Sequence, residues 1–122
     1  MADIAFTEQI TLGRTAPYVY QYRSHKVLVM LRFSWYGNGR TAIQMIDWQD
    51  GSSWGTVTVN FPDEHLTPDE VAIKTWAENK DVLPFLIKNH IVAEPYRYID
   101  AGYAEAPVCR LLVNLGQNLA NT

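Results

Sequence analysis

The chain has 122 residues, ten basic and thirteen acidic side chains for a net charge of −3, and a single cysteine. A domain of that size buries roughly two thirds of the surface its unfolded form exposes, so neither a disulfide framework nor a structural metal is needed to hold a core. The mild charge argues against a polyanion binder, and the lone Cys109 argues for a reducing compartment. Neither a basic and apolar leader after Met1 nor a run of about eighteen apolar residues occurs, so the expectation is one cytoplasmic domain over 1–122 without membrane contact.

Charge is unevenly spread: residues 1 to 40 carry five positive and two negative side chains, while 63 to 81 carry two positive and six negative. A mixed solvated surface accounts for this, as does steering of a partner.

The patterning is mostly of period two. Thr7 to Leu12 alternates weakly and is broken by Gly13 and Pro17. Tyr18, Tyr20 and Tyr22 then share one face of an extended segment. Lys26 to Trp35 is the strongest strand, with Val27, Val29, Leu31, Phe33 and Trp35 on one face; Leu28 and Met30 on the other predict cover on both sides for its first half. Tyr36-Gly37-Asn38-Gly39 predicts a hairpin into Thr41 to Trp48, and Asp50-Gly51 a second into Trp54 to Asn60. Pro62 and Pro68 bracket an acidic loop, and Glu70 to Trp76 reads as a further strand.

One helix is expected from an Asp81 cap, with Pro84 at its third position, Val82, Leu83, Leu86 and Ile87 as its apolar stripe, Phe85 at the margin, and Lys88, Asn89 and His90 closing it. Tyr96 to Ile99 and Val108 to Val113 read as two more strands. The tail 114–122, with Leu115 and Leu119 at helical spacing, is either a loose end or a docking segment. The whole predicts an α+β fold: a curved antiparallel sheet, a meander of about five to seven strands, packed against one short helix.

Chemistry is sparse along this pattern. His25, His65, His90 and Cys109 are widely separated, which argues against a metal site, and no strand, sharp turn and helix surrounds a serine as a nucleophile would require. Cys109 lies in an apolar run and reads as a buried hydrophobe. The glycine-rich segment at Gly37 lacks the lysine of a phosphate loop. The pairs Asp63-Glu64 and Asp69-Glu70 read as solvated loop charge, and neither a catalytic residue nor a cofactor is assigned. Tyr18, Tyr20 and Tyr22 beside Arg14 and Arg23 have the composition of a nucleic-acid stacking platform, but the net negative charge disfavours it.

The aromatic content stands out: four Trp, seven Tyr and four Phe, with Tyr36, Trp48 and Trp54 at or beside turns. Exposed rings with Arg40 at hand, next to acidic Asp63 and Glu64, predict a protein-binding patch. The alternative reading folds those rings back over the sheet as a minor core.

The segments Asn38-Gly39-Arg40-Thr41-Ala42-Ile43-Gln44, Thr58-Val59-Asn60-Phe61-Pro62, Glu70-Val71-Ala72-Ile73-Lys74, Glu78-Asn79 and Pro107-Val108-Cys109-Arg110-Leu111 together resemble a family of small stand-alone bacterial and phage proteins of unassigned function, carried on mobile elements. The likeness runs from about Leu12 to Leu112; Gly13 to Lys26 and the tail after Val113 depart from the pattern. No catalytic residues are attributed to that family. The resemblance implies a non-enzymatic module that binds and blocks a host defence complex, as an anti-CRISPR protein does. Monomer and homodimer both stay open, since edge strands or the leucine-bearing tail could each build a dimer. A nucleic-acid-binding accessory protein, or an enzyme with an unrecognised site, are the alternatives.

Overall fold

The computed structural model describes residues 17–113, so the expected Thr7 to Leu12 strand and the 114–122 tail lie outside the described residues. The elements in chain order are β1 (Tyr18–Tyr22), β2 (His25–Trp35), β3 (Thr41–Asp47), β4 (Ser53–Thr56), β5 (Glu70–Ala72), a one-turn 3-10 helix (Ala77–Asn79), α1 (Val82–Lys88), β6 (Arg97–Asp100) and β7 (Glu105–Arg110). The α+β expectation holds, with the strands divided between a four-stranded sheet, β1-β2-β3-β4, and a three-stranded sheet, β5-β7-β6. Every pairing is antiparallel.

The division falls where a single strand was expected over Trp54 to Asn60. A bulge between Met45 and Ile46, together with Gly55 at φ 114°, turns the chain out of register with β3. Val57 and Thr58 are consequently both buried, where period-two alternation would have exposed one of them. The chain then bridges the sheets: Thr58 pairs with Ile73, the Val59 N–H donates to the Ala72 carbonyl at 2.9 Å, and Lys74 N–H donates to Val57 at 2.9 Å.

The tyrosines of β1 and the alternate residues Val29, Leu31 and Phe33 of β2 face one core with Ile43, Met45, Ile73, Leu86 and Cys109, drawn from both sheets and the helix. Helix α1 supplies its centre. Phe85, expected at the margin, is instead in the core, its ring edge-on to Tyr18 at 6.0 Å and to Tyr20 at 5.1 Å. Burying such a side chain contributes about 1.5–3 kcal/mol, which a seven-residue helix needs from its tertiary contacts because it is unstable alone. A smaller core of Ala72, Ile99, Ala106 and Val108 is covered by Phe61, Leu66 and Trp76, which pins the proline-bracketed loop to the second sheet.

Several local expectations are corrected. Asp81 does precede the helix and Pro84 does occupy its third position, but the Asp81 carboxylate makes no cap bond. The chain enters α1 from the 3-10 turn with Asp81 at ψ 6°, not in the extended conformation that aims a capping side chain at the first turn. Strand β7 begins at Glu105, upstream of the expected Val108, and passes through Pro107 although it is the central strand of its sheet. The Pro107 carbonyl accepts from Ile73, one residue past the end of β5. Its missing N–H would face the same side, so proline removes a single bond at the very end of the β5–β7 ladder rather than from its middle. The hairpin at Arg23-Ser24 had no sequence signal: Tyr22 pairs with His25, and Arg23 takes φ 56° without being Gly or Asn.

Candidate interaction surface

The outer face of the first sheet is the surface that the sequence pattern misassigned. Outward positions on β2 read Lys26, Leu28, Met30 and Arg32, and the apolar pair was expected to lie under a second layer. Instead Leu28 is 42 % exposed. It pairs with Val19 of β1, which is 57 % exposed. On its other side the Trp48 N–H donates to the Leu28 carbonyl at 3.0 Å, which extends the β2–β3 register by one step and sets Trp48, 45 % exposed, across from Leu28. Val19, Leu28 and Trp48 thus line up as one cross-strand apolar row over β1, β2 and the residue just past β3. Lys26 and Arg32 flank it along β2, the latter donating to Gln44 Oε1 at 2.9 Å.

The position of Trp48 is built by the turn beneath it. Asp47 Oδ1 accepts from the Gln49 N–H at 2.8 Å and the Asp50 N–H at 3.2 Å, while Asp47 N–H donates to Ser52 at 2.7 Å. Asp50 Oδ1 accepts from both the N–H and the hydroxyl of Ser52, and those bonds hold the Asp50 carboxyl below its usual range. Gly51 at φ 76° completes the turn. A tryptophan carried on a self-bonded turn is presented to solvent with little freedom left to lose on binding.

The remaining expected patch residues do not join this row. Trp48 and the hairpin bearing Tyr36 and Arg40 stand at opposite ends of β3, about 26 Å apart at the strand rise of roughly 3.3 Å per residue. Tyr36 Oη lies 2.9 Å from Thr58 Oγ1 and 3.2 Å from the Thr58 carbonyl. Arg40 donates to the carbonyls of Phe61, at 3.2 Å, and Glu64, so its guanidinium fastens the acidic loop. Asp63 and Glu64 are exposed beside it. Trp54 turns inward: its indole N–H donates to Asp47 Oδ2 at 3.1 Å, and its ring meets Tyr22 edge-on at 5.2 Å.

Other candidates resolve as follows. Tyr18, Tyr20 and Tyr22 pack toward Phe85 and Trp54, on the side of the sheet opposite the outer face. Asp69 pairs with Arg110 at 2.8 Å. Glu70, read as solvated charge, is buried: it accepts from the Thr67 N–H at 2.8 Å and pairs with Arg97 at 3.4 Å. Burial would raise its pKa, but the Thr67 and Arg97 donors outweigh that and hold it below the usual value. Cys109 is buried, and desolvation, with the Glu94 charge adding to it, pushes its thiol up to about 11, which leaves it protonated and unreactive near neutrality. Among the described residues no group of three or more His, Cys, Asp or Glu side chains is placed to hold a metal ion, and no helix is long and apolar enough to cross a membrane.

Sequence reasoning missed Val19 and Leu28. The available signal was apolar residues on both faces of a strand, which has two physical meanings, a covered sheet or an exposed binding face. Compared with known proteins, the chain matches no family model, no curated protein and no solved structure.

Proposed function

We propose that the chain is a non-enzymatic protein-binding module whose partner docks on the outer face of the first sheet, with Trp48 as the anchor. The observation that carries this reading is the cross-strand row Val19, Leu28 and Trp48. Exposed apolar residues scattered singly are ordinary, whereas a row of them ending in a tryptophan has the composition of an interface hot spot. Lys26 and Arg32 beside the row suit a partner whose apolar groove is rimmed by carboxylates, which also speeds encounter. The narrower reading, an inhibitor of a bacterial defence complex, is supported by the family resemblance alone.

The test compares the wild type with Leu28→Asp combined with Trp48→Ala, each used as tagged bait in nuclease-treated lysate of a host carrying CRISPR and restriction systems. Because the side chains are partly exposed, the double variant should lose no more than about 1–2 kcal/mol and remain folded, as thermal unfolding checks. The expected result is a stoichiometric partner held by the wild type, lost by the double variant and captured more slowly by Lys26→Glu. A partner retained equally by the double variant overturns the docking face. Recovery only of material that disappears with nuclease favours the nucleic-acid alternative, and no retained partner removes the defence-complex reading for the systems tested.

A further inference from the structure

A different part of the molecule, independent of the outer face, contains a cavity of about 220 Å³ between the end of β1, the start of β4 and the 3-10 turn. Tyr20, Tyr22 and Trp54 are three of its walls, and Ser53, Glu78 and Asn79 supply its polar groups. The rings turn a corner: Tyr22 and Trp54 meet at 61° with centroids 5.2 Å apart, and Tyr20 lies 6.4 Å from Tyr22 at 33°. Their π faces carry partial negative charge, so rings that line one space favour a cation there.

The polar groups point to the kind of cation. The Trp54 indole N–H is already spent on Asp47, and the Asn79 amide N–H on the Thr56 carbonyl at 3.0 Å. Glu78 is the one charged side chain of the lining, which otherwise consists of aromatic, apolar and neutral polar groups. Glu78 carries its charge at neutral pH, since the bond it receives from its own backbone N–H and the nearby Lys74 hold its carboxyl below the ordinary range. Its ion pair with Lys74 is 3.4 Å long and exposed, a contact weak enough for an incoming cation to replace. Outside the cavity lining, the Arg23 guanidinium sits 5.2 Å over the Tyr22 ring, a cation–π contact of the same kind. The volume falls below the roughly 300 Å³ at which pockets for drug-sized molecules begin, so the cavity suits a headgroup.

We propose that this cavity binds an organic cation of the alkylated-ammonium class, held by Tyr20, Tyr22 and Trp54 with Glu78 as counter-charge. A quaternary ammonium has charge to offer the rings and no N–H that requires an acceptor, which matches what the walls provide. The same chemistry occurs in a free choline-type molecule and in the methylated lysine of a polypeptide.

The experiment titrates the full-length protein with choline, with its uncharged isostere 3,3-dimethylbutan-1-ol, and with Nε-trimethyllysine amide, following the Trp54 indole N–H resonance, assigned through Trp54→Phe. Choline should give a saturable shift, with the isostere binding roughly tenfold more weakly or worse. Glu78→Gln, an exposed change that should leave the fold intact, should weaken choline several-fold, and Tyr22→Leu more so. Tighter binding of trimethyllysine amide than of choline supports the proposal and identifies the source as a modified polypeptide; the reverse order supports it and identifies a free small molecule. Equal shifts from choline and the isostere overturn it in favour of an ordinary apolar cavity. So do the lack of any saturable shift up to tens of millimolar, and Glu78→Gln binding choline as wild type does.

Discussion

At Thr58 one short side chain satisfies two groups from different parts of the chain. Its Oγ1 accepts the buried Ile43 N–H at 3.1 Å and lies 2.9 Å from the Tyr36 hydroxyl, whose own oxygen is 3.2 Å from the Thr58 carbonyl. Thr58→Val keeps the shape and removes the hydroxyl, so the Ile43 N–H is left without its acceptor. The expected loss is about 1–3 kcal/mol in chemical denaturation, whereas Thr58→Ser should cost less because the acceptor remains. A Val variant as stable as wild type would mean that water replaces the bond. Tyr36 and Arg40 illustrate the limit of reading residues by type. An aromatic and an arginine beside a turn have the composition of a hot spot, and here both are engaged with the chain's own carbonyls. Trp48, by contrast, could be read from its place at a tight Asp-Gly turn, because a two-sided turn leaves little room to bury an indole.

The helix shows the same division one level up. Its span, its proline and its basic end were legible from local rules, but which of its closing residues takes the left-handed conformation was not. His90, not Asn89, takes φ 60°, with its N–H donating to Ile87 at 3.0 Å and the Ile91 N–H to Leu86 at 2.9 Å. That pair of bonds is a Schellman closure, and the contact between Ile91 and Leu86 inside the core selects its register. A non-glycine residue in this conformation costs roughly 1–2 kcal/mol, partly offset in a glycine variant by the greater entropy of its unfolded chain. His90→Gly should therefore stabilise the protein by about 0.5–1 kcal/mol and raise Tm by a few degrees. A drop in Tm would show that the imidazole makes a contribution larger than the strain it carries.

On the scale of the whole molecule, the two sheets close on one core, and polar ties fix the loop that lies over the second. Glu70 is the buried member of these ties, bonded to Thr67 and Arg97, while Arg97 also donates to the His65 carbonyl at 2.8 Å. Because its folded pKa is depressed, Glu70 contributes stability that is fully present above the ordinary value of 4.5 and is lost as pH falls below it through the folded value. Glu70→Gln should be less stable than wild type near neutrality by about 1 kcal/mol, with the gap closing in acid well below that ordinary value. Parallel stability curves for the two proteins across that range would exclude Glu70 as a source of the acid sensitivity.

The sequence by itself determined the alternating strands, the glycine turns, the short helix and the α+β class, because these follow from side-chain period and backbone freedom, which act within a few residues. Only the tertiary structure decided where one sheet gives way to the next, through a bulge and the pairing of Thr58 with Ile73. It also decided which face of β2 stays open and that Tyr20, Tyr22 and Trp54 surround a cavity. Those outcomes depend on partners far apart in the chain. A run of apolar residues has the same period whether a second layer covers it or water does, so periodicity alone could not distinguish the buried face from the binding face.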